Sequence, residues 1–219
     1  MSLLAQLAPP LLAKDGPLRR RLRKFTRKRQ IRSFLARRPR PFRLHLGCGK
    51  VRLDDWINLD GDPAYARADV YWDLSDRLPF PSQSCELIHS EHVLEHLDVA
   101  VGKRLLRECH RVLQPGGTIR IAMPSLDEII AKSASGDWRD QDWLRWPGYA
   151  YVKTRAEMLN IVFRSWDHRW LYDREELHRR LWETGFTTIR DMPWGVSEIA
   201  ALANLETRQD SLLICEAQR

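Results

Sequence analysis

The sequence predicts an α/β protein with a mostly parallel sheet and helices on both of its faces. The first observation is that short β-rich runs alternate with segments of helical periodicity from Arg43 onward, which is typical of repeated βαβ units. The second is that glycine, acidic residues or histidine follow several of these runs. Ligands of such sheets bind at the carboxyl ends of the strands, so the same pattern predicts a binding site there.

Seven runs are predicted to be strands, and one apolar stripe predicts a helix between them. The runs span residues 43–47, 56–60, 69–73, 86–91, 118–124, 187–193 and 211–217. The stripe recurs at the spacing of a helix that lies on a sheet, and its members are Val101, Leu105, Cys109, Val112 and Leu113. Pro115, followed by two glycines, ends this helix because proline cannot continue it.

The second half of the chain adds further helices. Residues 125–165 are predicted to be helical. Asp173 is predicted to cap another helix, with Glu176 three residues later as the partner in a capping box. Gly185 closes that helix.

The glycine turn after the first strand raises the question of its ligand. In the segment RLHLGCGKVRLDDWINLD (43–60), Gly47 and Gly49 match the first two glycines of the dinucleotide pattern G-x-G-x-x-G, but Arg52 stands at the third position. Asp60 follows Gly47 by 13 residues, whereas the dinucleotide pattern has its acid about 20 residues on. The turn therefore predicts a ligand without a pyrophosphate and disfavours a nicotinamide-dependent oxidoreductase.

Composition limits the classes of protein to consider. With 219 residues, 43% of them hydrophobic, the chain can bury one good core. Its four cysteines form no C-x-x-C pair, which disfavours a disulfide framework or a cysteine zinc site and favours a reducing compartment. The apolar start at residues 3–13 is too short to span a bilayer and lacks the basic segment that begins a secretory signal. We expect a cytoplasmic protein.

Charge separates an N-terminal arm, residues 1–42, from the rest. The first 43 residues hold 14 Lys or Arg and one acid, whereas the remainder carries a net charge of −6. Leu18, Leu22 and Phe25 recur at helical spacing among the basic residues, which predicts a basic amphipathic helix. We expect residues 14–43 to contact an anionic membrane surface, placing the protein at the inner face of the membrane. Nucleic acid is the less favoured partner.

A series of motifs resembles a known family. The segments LHLGCGK, WINLD, DLSDRLPF, ELIHSEHVLEHL and RVLQPGGTIRIAMP are similar to those of class I S-adenosylmethionine-dependent methyltransferases. The closest likeness is to the type 11-like group predicted among polysaccharide-building enzymes. The resemblance covers about residues 43–217. It implies a methyltransferase domain at 43–219 and a Rossmann-like, seven-stranded sheet whose last strand is antiparallel.

The resemblance also implies a cofactor site for S-adenosyl-L-methionine at the strand ends. Its residues would be Gly47, Cys48, Gly49, Asp60, Asp73, Leu74 and Glu91. Asp60 would accept the ribose hydroxyls, Asp73 and the Leu74 backbone would contact the adenine, and Glu91 would lie beside the sulfonium. Since this cofactor has no phosphate, Arg52 at the third glycine position is tolerable. The chain departs from the broad family in having almost no room for a helix between the first two strands.

The reaction implied is O-methylation of a saccharide or another small polar acceptor. A hydroxyl acceptor must lose its proton, and histidine is the usual base near neutral pH. His92 follows the fourth strand and His168 precedes the capped helix, so both are candidate catalytic residues. This interpretation includes no resident metal.

Two alternatives remain open at this stage. HVLEH (92–96), with a later DHRW (167–170), is similar to the small-RNA 2′-O-methyltransferases, in which a comparable set holds a divalent ion. This likeness implies RNA 2′-O-methylation as the alternative reaction, and the spacing predicts His92, Glu95 and His96 on one helix face. The other alternative is a non-catalytic, cofactor-binding partner subunit.

Overall fold

A computed structural model describes residues 17–219, with side chains from residue 26 onward. The chain divides into one unit that ends at Pro39 and a second that spans Arg40–Arg219. The first unit contains helix α1, Pro17–Leu35, where the basic helix was predicted. The apolar stripe of Leu18, Leu22 and Phe25 lies outside the described side chains. The apolar N-terminal segment at residues 3–13 lies outside the described residues. Among the described helices, none combines the length and apolar character needed to cross a membrane.

The second unit is built on a seven-stranded sheet. Its strands are β1 (Phe42–Leu46), β2 (Ile57–Asp60), β3 (Val70–Tyr71), β4 (Cys85–Glu91), β5 (Leu113–Met123), β6 (Thr187–Asp191) and β7 (Leu213–Gln218). Their order across the sheet is β3-β2-β1-β4-β5-β7-β6. Strands β1 to β5 pair in parallel, and β7 runs antiparallel to both β5 and β6. The predicted fold class is confirmed, including the antiparallel last strand.

Strand bounds shift by one or two residues at most ends, and two strands, β3 and β5, differ most in length from their predicted ranges. Strand β3 has only two residues, Val70–Tyr71. Strand β5 begins at Leu113, earlier than predicted, because its pairing with β4 continues across a bulge. Cys85 pairs with Leu113 and Leu87 pairs with Thr118, so the proline and glycines between these partners loop out of the ladder.

Four helices accompany the sheet. They are α2 (Val99–Val112), α3 (Leu126–Ser135), α4 (Arg155–Arg164) and α5 (Arg174–Glu183). Helix α2 buries Leu105, Cys109 and Val112 of the predicted stripe, and Val101 is only half-buried. Leu113 was wrongly predicted to be helical, because it begins β5. Asp173 caps α5 by accepting a hydrogen bond from the Glu176 backbone N–H at 2.7 Å. The predicted capping box is only half formed, because the Glu176 carboxylate binds Arg179 and Arg180 instead.

Residues 125–165 form a small second core beside the sheet. Its buried members are Ile129, Trp138, Trp143, Met158, Ile161 and Val162. Helix α4 begins with a complete capping box between Thr154 and Glu157. The chain leaves this core at Trp166, which packs against it, and then reaches His168. The second core therefore determines where the segment around His168 meets the sheet.

Candidate active site

A cleft of about 670 Å³ opens at the carboxyl ends of the parallel strands. All the residues predicted from the sequence for cofactor binding or catalysis line it. They are Gly47, Cys48, Gly49, Asp60, Asp73, Leu74, Glu91, His92 and His168. The topology thus brings together side chains from both halves of the chain, as the strand-end rule predicts. The role of each residue stays a prediction.

The turn after β1 needs glycine at position 47 for a steric reason. Gly47 has a φ of +64°, and a Cβ atom there would lie 2.2 Å from Cγ2 of Val93. Gly49 also has a positive φ, +50°. The backbone therefore approaches the segment after β4 more closely than any side chain would permit. No helix follows the turn within residues 47–56, as the short spacing predicts, so the turn presents loop backbone to the cleft.

Asp60 connects the end of β2 to this turn. One oxygen of its carboxylate, Oδ2, accepts a hydrogen bond from the Gly49 N–H at 2.9 Å, and Oδ1 accepts one from the Asp62 N–H at 2.9 Å. A carboxylate has about four acceptor positions, so both oxygens retain capacity for the hydroxyls of a ribose. Asp60 is half-buried and lines the cleft. It therefore orders the glycine turn and still offers acceptors to a ligand.

Arg52, at the third glycine position, points toward the connection between β2 and β3. Its guanidinium donates to the Arg67 carbonyl at 2.8 Å and forms an ion pair with Asp69 at 2.8 Å. Asp69 also accepts from the backbone and side chain of Asn58. The arginine at the third glycine position therefore has structural partners of its own.

The adenine candidates lie at the end of β3. The exposed Asp73 accepts a hydrogen bond from the Ser75 N–H at 2.9 Å through Oδ1, and the Leu74 side chain is half-buried. Cys48, between the two glycines of the turn, is a buried thiol. Burial, helped by the negative charge of Asp60, raises the pKa of Cys48 to about 11. Cys48 is thus a neutral wall at physiological pH.

Glu91 has a role that the sequence did not indicate. Its carboxylate accepts hydrogen bonds from the Thr207 N–H and hydroxyl, from the Arg208 N–H and from the Ser211 hydroxyl, at 2.6–3.1 Å. Glu91 lines the cleft, as predicted, but its charge anchors the loop at residues 207–211. This loop adds Thr207, Arg208 and Asp210 to the cleft.

His92 does not share a helix face with Glu95 and His96, so that prediction was wrong. Only a 3-10 turn, Leu94–His96, forms there, and His92 precedes it with a left-handed φ of +51°. Its Nε2 lies 3.1 Å from the Ser211 hydroxyl and its Nδ1 lies 3.2 Å from Oε1 of Glu95. Both ring nitrogens therefore have protein partners.

His168 presents one ring nitrogen to the cleft. Its Nδ1 lies 2.8 Å from the Val162 carbonyl, so Nδ1 carries the proton and donates it. In the neutral ring Nε2 then holds the lone pair. Burial lowers the pKa of His168, an effect that the Val162 contact and the charge of Glu95 only partly offset. His168 is therefore neutral near pH 7.

Several lining residues carried no recognisable signal in the sequence. Besides the 207–211 loop, these are aromatic residues from distant segments, namely Tyr65, Trp146 and Trp166. Trp166 donates its indole N–H to the Tyr149 hydroxyl. The contacts that place these residues are non-local and follow no sequence spacing.

The sequence comparison matches one part of the chain to a known family. Residues 60–121, which run from the end of β2 through most of β5, match the methyltransferase domain family. This range includes Asp60, Asp73, Leu74 and Glu91 among the predicted cofactor residues. Among curated proteins, none matches the sequence.

Solved structures of methyltransferases share the fold. A SAM dependent methyltransferase from Archaeoglobus fulgidus is 15% identical, with 90% of this chain and 94% of that chain covered and a TM-score of 0.52. Human N-acetylserotonin methyltransferase, solved in complex with SAM, is 15% identical, with 82% of this chain and 48% of that chain covered and a TM-score of 0.50. At this identity the likeness concerns the fold alone.

Proposed function

We propose that this chain, an S-adenosylmethionine-dependent methyltransferase by its domain match and its fold, methylates a hydroxyl of a saccharide or another small polar acceptor. The cleft residues fit the cofactor. The glycine turn has no space for a Cβ at Gly47, and Asp60 keeps acceptor capacity for hydroxyl groups. Acidic side chains also line the cleft, which suits a cation better than a phosphate.

The observation that carries the choice of acceptor is a second cavity that joins the cleft. Its volume is about 290 Å³, near the lower end of the roughly 300–1,000 Å³ typical of small-molecule sites. The two cavities share the residues Pro124, Trp166, His168 and Asp210. An acceptor bound in the second cavity would therefore meet the cofactor cleft at His168.

The lining of this second cavity suits a neutral, polyhydroxylated ligand. Trp166 offers aromatic surface, on which the apolar face of a sugar ring can pack, and the buried Trp143 supports it from the core side. Hydroxyl partners are available from Glu128, Asp140 and Lys132. Since carboxylates outnumber cations here, the cavity disfavours a polyanion such as RNA, whose binding depends on Lys and Arg contacts to phosphate.

His168 is the side chain best placed to act on the acceptor. When bound, S-adenosylmethionine supplies an electrophilic methyl group on a positively charged sulfur. The acceptor oxygen forms the new C–O bond as the C–S bond breaks, and the hydroxyl proton must leave. The lone pair on Nε2 of His168 can receive or orient that proton, because Nδ1 is held by the Val162 carbonyl. His92 is less suited, since both of its nitrogens have partners.

Transfer of labelled methyl groups to a panel of acceptors tests this function. We expect transfer to neutral glycan fragments and none to RNA. His168→Ala should lower kcat by about 10²–10⁴-fold while leaving the affinity for S-adenosylhomocysteine nearly unchanged. His178→Ala, at a half-buried position on α5 outside the residues that line the cleft, is the control and should keep full turnover. Methylation of RNA alone would contradict the proposal, and binding without transfer to any acceptor would favour the non-catalytic subunit.

We also propose that the basic arm holds the enzyme at an anionic membrane surface on the cytoplasmic side. Each basic residue near such a surface contributes about 1 kcal/mol. Replacing the exposed Arg27, Lys28 and Arg29 by glutamine should therefore weaken binding to anionic vesicles by about a hundredfold. Replacing Arg104 and Arg107, exposed on α2, should have little effect.

Sedimentation of the full chain with vesicles, at low and high salt, measures this binding. Binding to RNA but not to vesicles would give the arm a nucleic-acid role instead. Indifference to both at low salt would show that the arm is only a solvated tail.

A further inference from the structure

Glu95 is a buried carboxylate without a complete set of hydrogen-bond partners. Its side chain is 1% exposed, in the short turn between β4 and α2. Within the described chain, neither carboxylate oxygen makes a well-formed hydrogen bond. The nearest basic group is Nδ1 of His92, 3.2 Å from Oε1. Burying a carboxylate costs several kcal/mol unless it is paired or coordinates a metal. The His92 contact involves Oε1 alone and leaves Oε2 without a partner in the described chain, so the buried carboxylate has capacity for a further cation.

Two imidazoles lie close to this carboxylate. One ligand atom each from Glu95, His96 and His168 lies within 4.8 Å of the others. Nδ1 of His168 is held by the Val162 carbonyl at 2.8 Å, which is how the histidine ligands of metals are usually oriented. The Arg169 and Trp170 N–H groups donate to the Glu95 carbonyl at 2.7 and 3.2 Å, which ties the two segments together.

We propose that Glu95, His96 and His168 bind a divalent first-row transition metal ion of the zinc class. Two imidazole nitrogens and one carboxylate oxygen form a donor set that such ions accept while keeping a coordination position open. Bond lengths of about 2.0–2.2 Å would bring the ligand atoms to about 3.3 Å from one another. The three side chains would therefore close on the ion by about 1 Å. His92 is not a ligand, because its ring nitrogens contact Ser211 and Glu95.

The site lies where an acceptor would be activated. His96 and His168 line the cofactor cleft, and His168 also lines the second cavity. A divalent cation there would polarise the acceptor oxygen and lower the pKa of its hydroxyl. His168 would then position the ion instead of taking the proton itself. The inference rests on the methyltransferase cleft and is independent of whether the acceptor is a saccharide.

Metal binding can be measured without any acceptor. The full chain, purified without a histidine tag and stripped with a chelator, is titrated with Co²⁺ and followed by its visible absorption. We expect one Co²⁺ per chain, displaced by Zn²⁺. Glu95→Gln and His96→Ala should each lower the affinity for Co²⁺ by about tenfold or more. Circular dichroism checks folding, and His96, only half-buried, is the safer variant should Glu95→Gln fail to fold.

The second group of potential ligands in the described chain provides the control. His178, Asp191 and Cys215 also lie close together, but His178 and Asp191 already bind each other at 2.8 Å. His178→Ala should keep the Co²⁺ spectrum and stoichiometry. The proposal is overturned if the full chain takes up no ion, if uptake survives both Glu95→Gln and His96→Ala, or if His178→Ala abolishes it. None of these outcomes depends on the acceptor assay, so each failure is distinct from failure of the proposed function.

Discussion

The same strands carry two sets of polar side chains, one at their carboxyl ends and one buried within the sheet. The interior set runs across five neighbouring strands in register: Asn58 beside His45, His45 beside His89, His89 beside Arg120, and Arg120 beside Glu216. Paired residues in adjacent strands lie on the same face of a sheet, so these five form a continuous row. Asp60 and Glu91 of the cleft lie only two residues beyond Asn58 and His89.

The two sets differ in how their polar atoms are used. Arg120 is fully buried and binds Glu206 and Glu216 at 2.5 and 2.7 Å. Asn58 donates to the Leu53 and Trp56 carbonyls, and its Oδ1 contacts His45 Nδ1 at 3.1 Å. In the cleft, by contrast, Asp60 at the end of β2 and His168 in the segment before α5 keep acceptor positions that face a cavity. Residue type is therefore a poor guide to function here, and position along the strand is a good one.

The largest expected effect, a loss of stability, comes from removing Arg120, which is the cation of the interior row. Arg120→Met would leave Glu206 and Glu216 buried without their partner, which typically costs about 3–5 kcal/mol. Urea denaturation measures this loss of the free energy of unfolding. Arg190→Met, which removes an exposed ion pair with Glu198, is the matched control and should change stability little. A loss no larger than that of the control would mean that the row is not structural.

A smaller effect, on binding, is expected at the strand ends. Asp60→Ala should weaken the affinity for S-adenosylhomocysteine by about ten- to a hundredfold, since a hydrogen bond to a charged group is worth about 1.5–3 kcal/mol. The loss of stability should be much smaller. Asp60→Asn keeps an acceptor for the Gly49 N–H and separates ordering of the turn from loss of charge. Calorimetry gives the dissociation constants, and unchanged values would refute the ribose assignment.

The smallest effect is a pH dependence that originates in the row. Burial lowers the pKa of His45, and burial with the nearby His45 and Arg120 lowers that of His89 well below its ordinary 6.5. Below pH 6.5 the unfolded chain therefore binds protons that the folded chain does not, so stability is complete above this pH and is lost as the pH falls. Each such proton contributes a slope of about 1.4 kcal/mol per pH unit.

Chemical denaturation between pH 5 and 7.5 measures this slope. His89→Leu should reduce it. An unchanged slope in His89→Leu would show that His89 titrates alike in both states.

The sequence predicted what depends on strand order and missed what depends on distant contacts. Asp60 and Glu91 could be placed because strand ends share one edge of a parallel sheet. The sequence wrongly placed His92 on a helix face. His92 itself has a left-handed backbone conformation, and only a single 3-10 turn follows it. The loop that Glu91 holds lies 116 to 120 residues away, and no spacing records such a contact. The sequence analysis missed the interior row, because these polar residues stand inside strands that were predicted from the apolar residues around them.

A crystal structure of the full chain with S-adenosylhomocysteine tests the central claim, that the strand-end cleft is the cofactor site. We expect the ribose hydroxyls within hydrogen-bond distance of the Asp60 carboxylate, the adenine beside Asp73 and Leu74, and the sulfur facing the shared opening at His168. Cofactor bound elsewhere on the chain, or in the cleft with its ribose away from Asp60, would contradict the account.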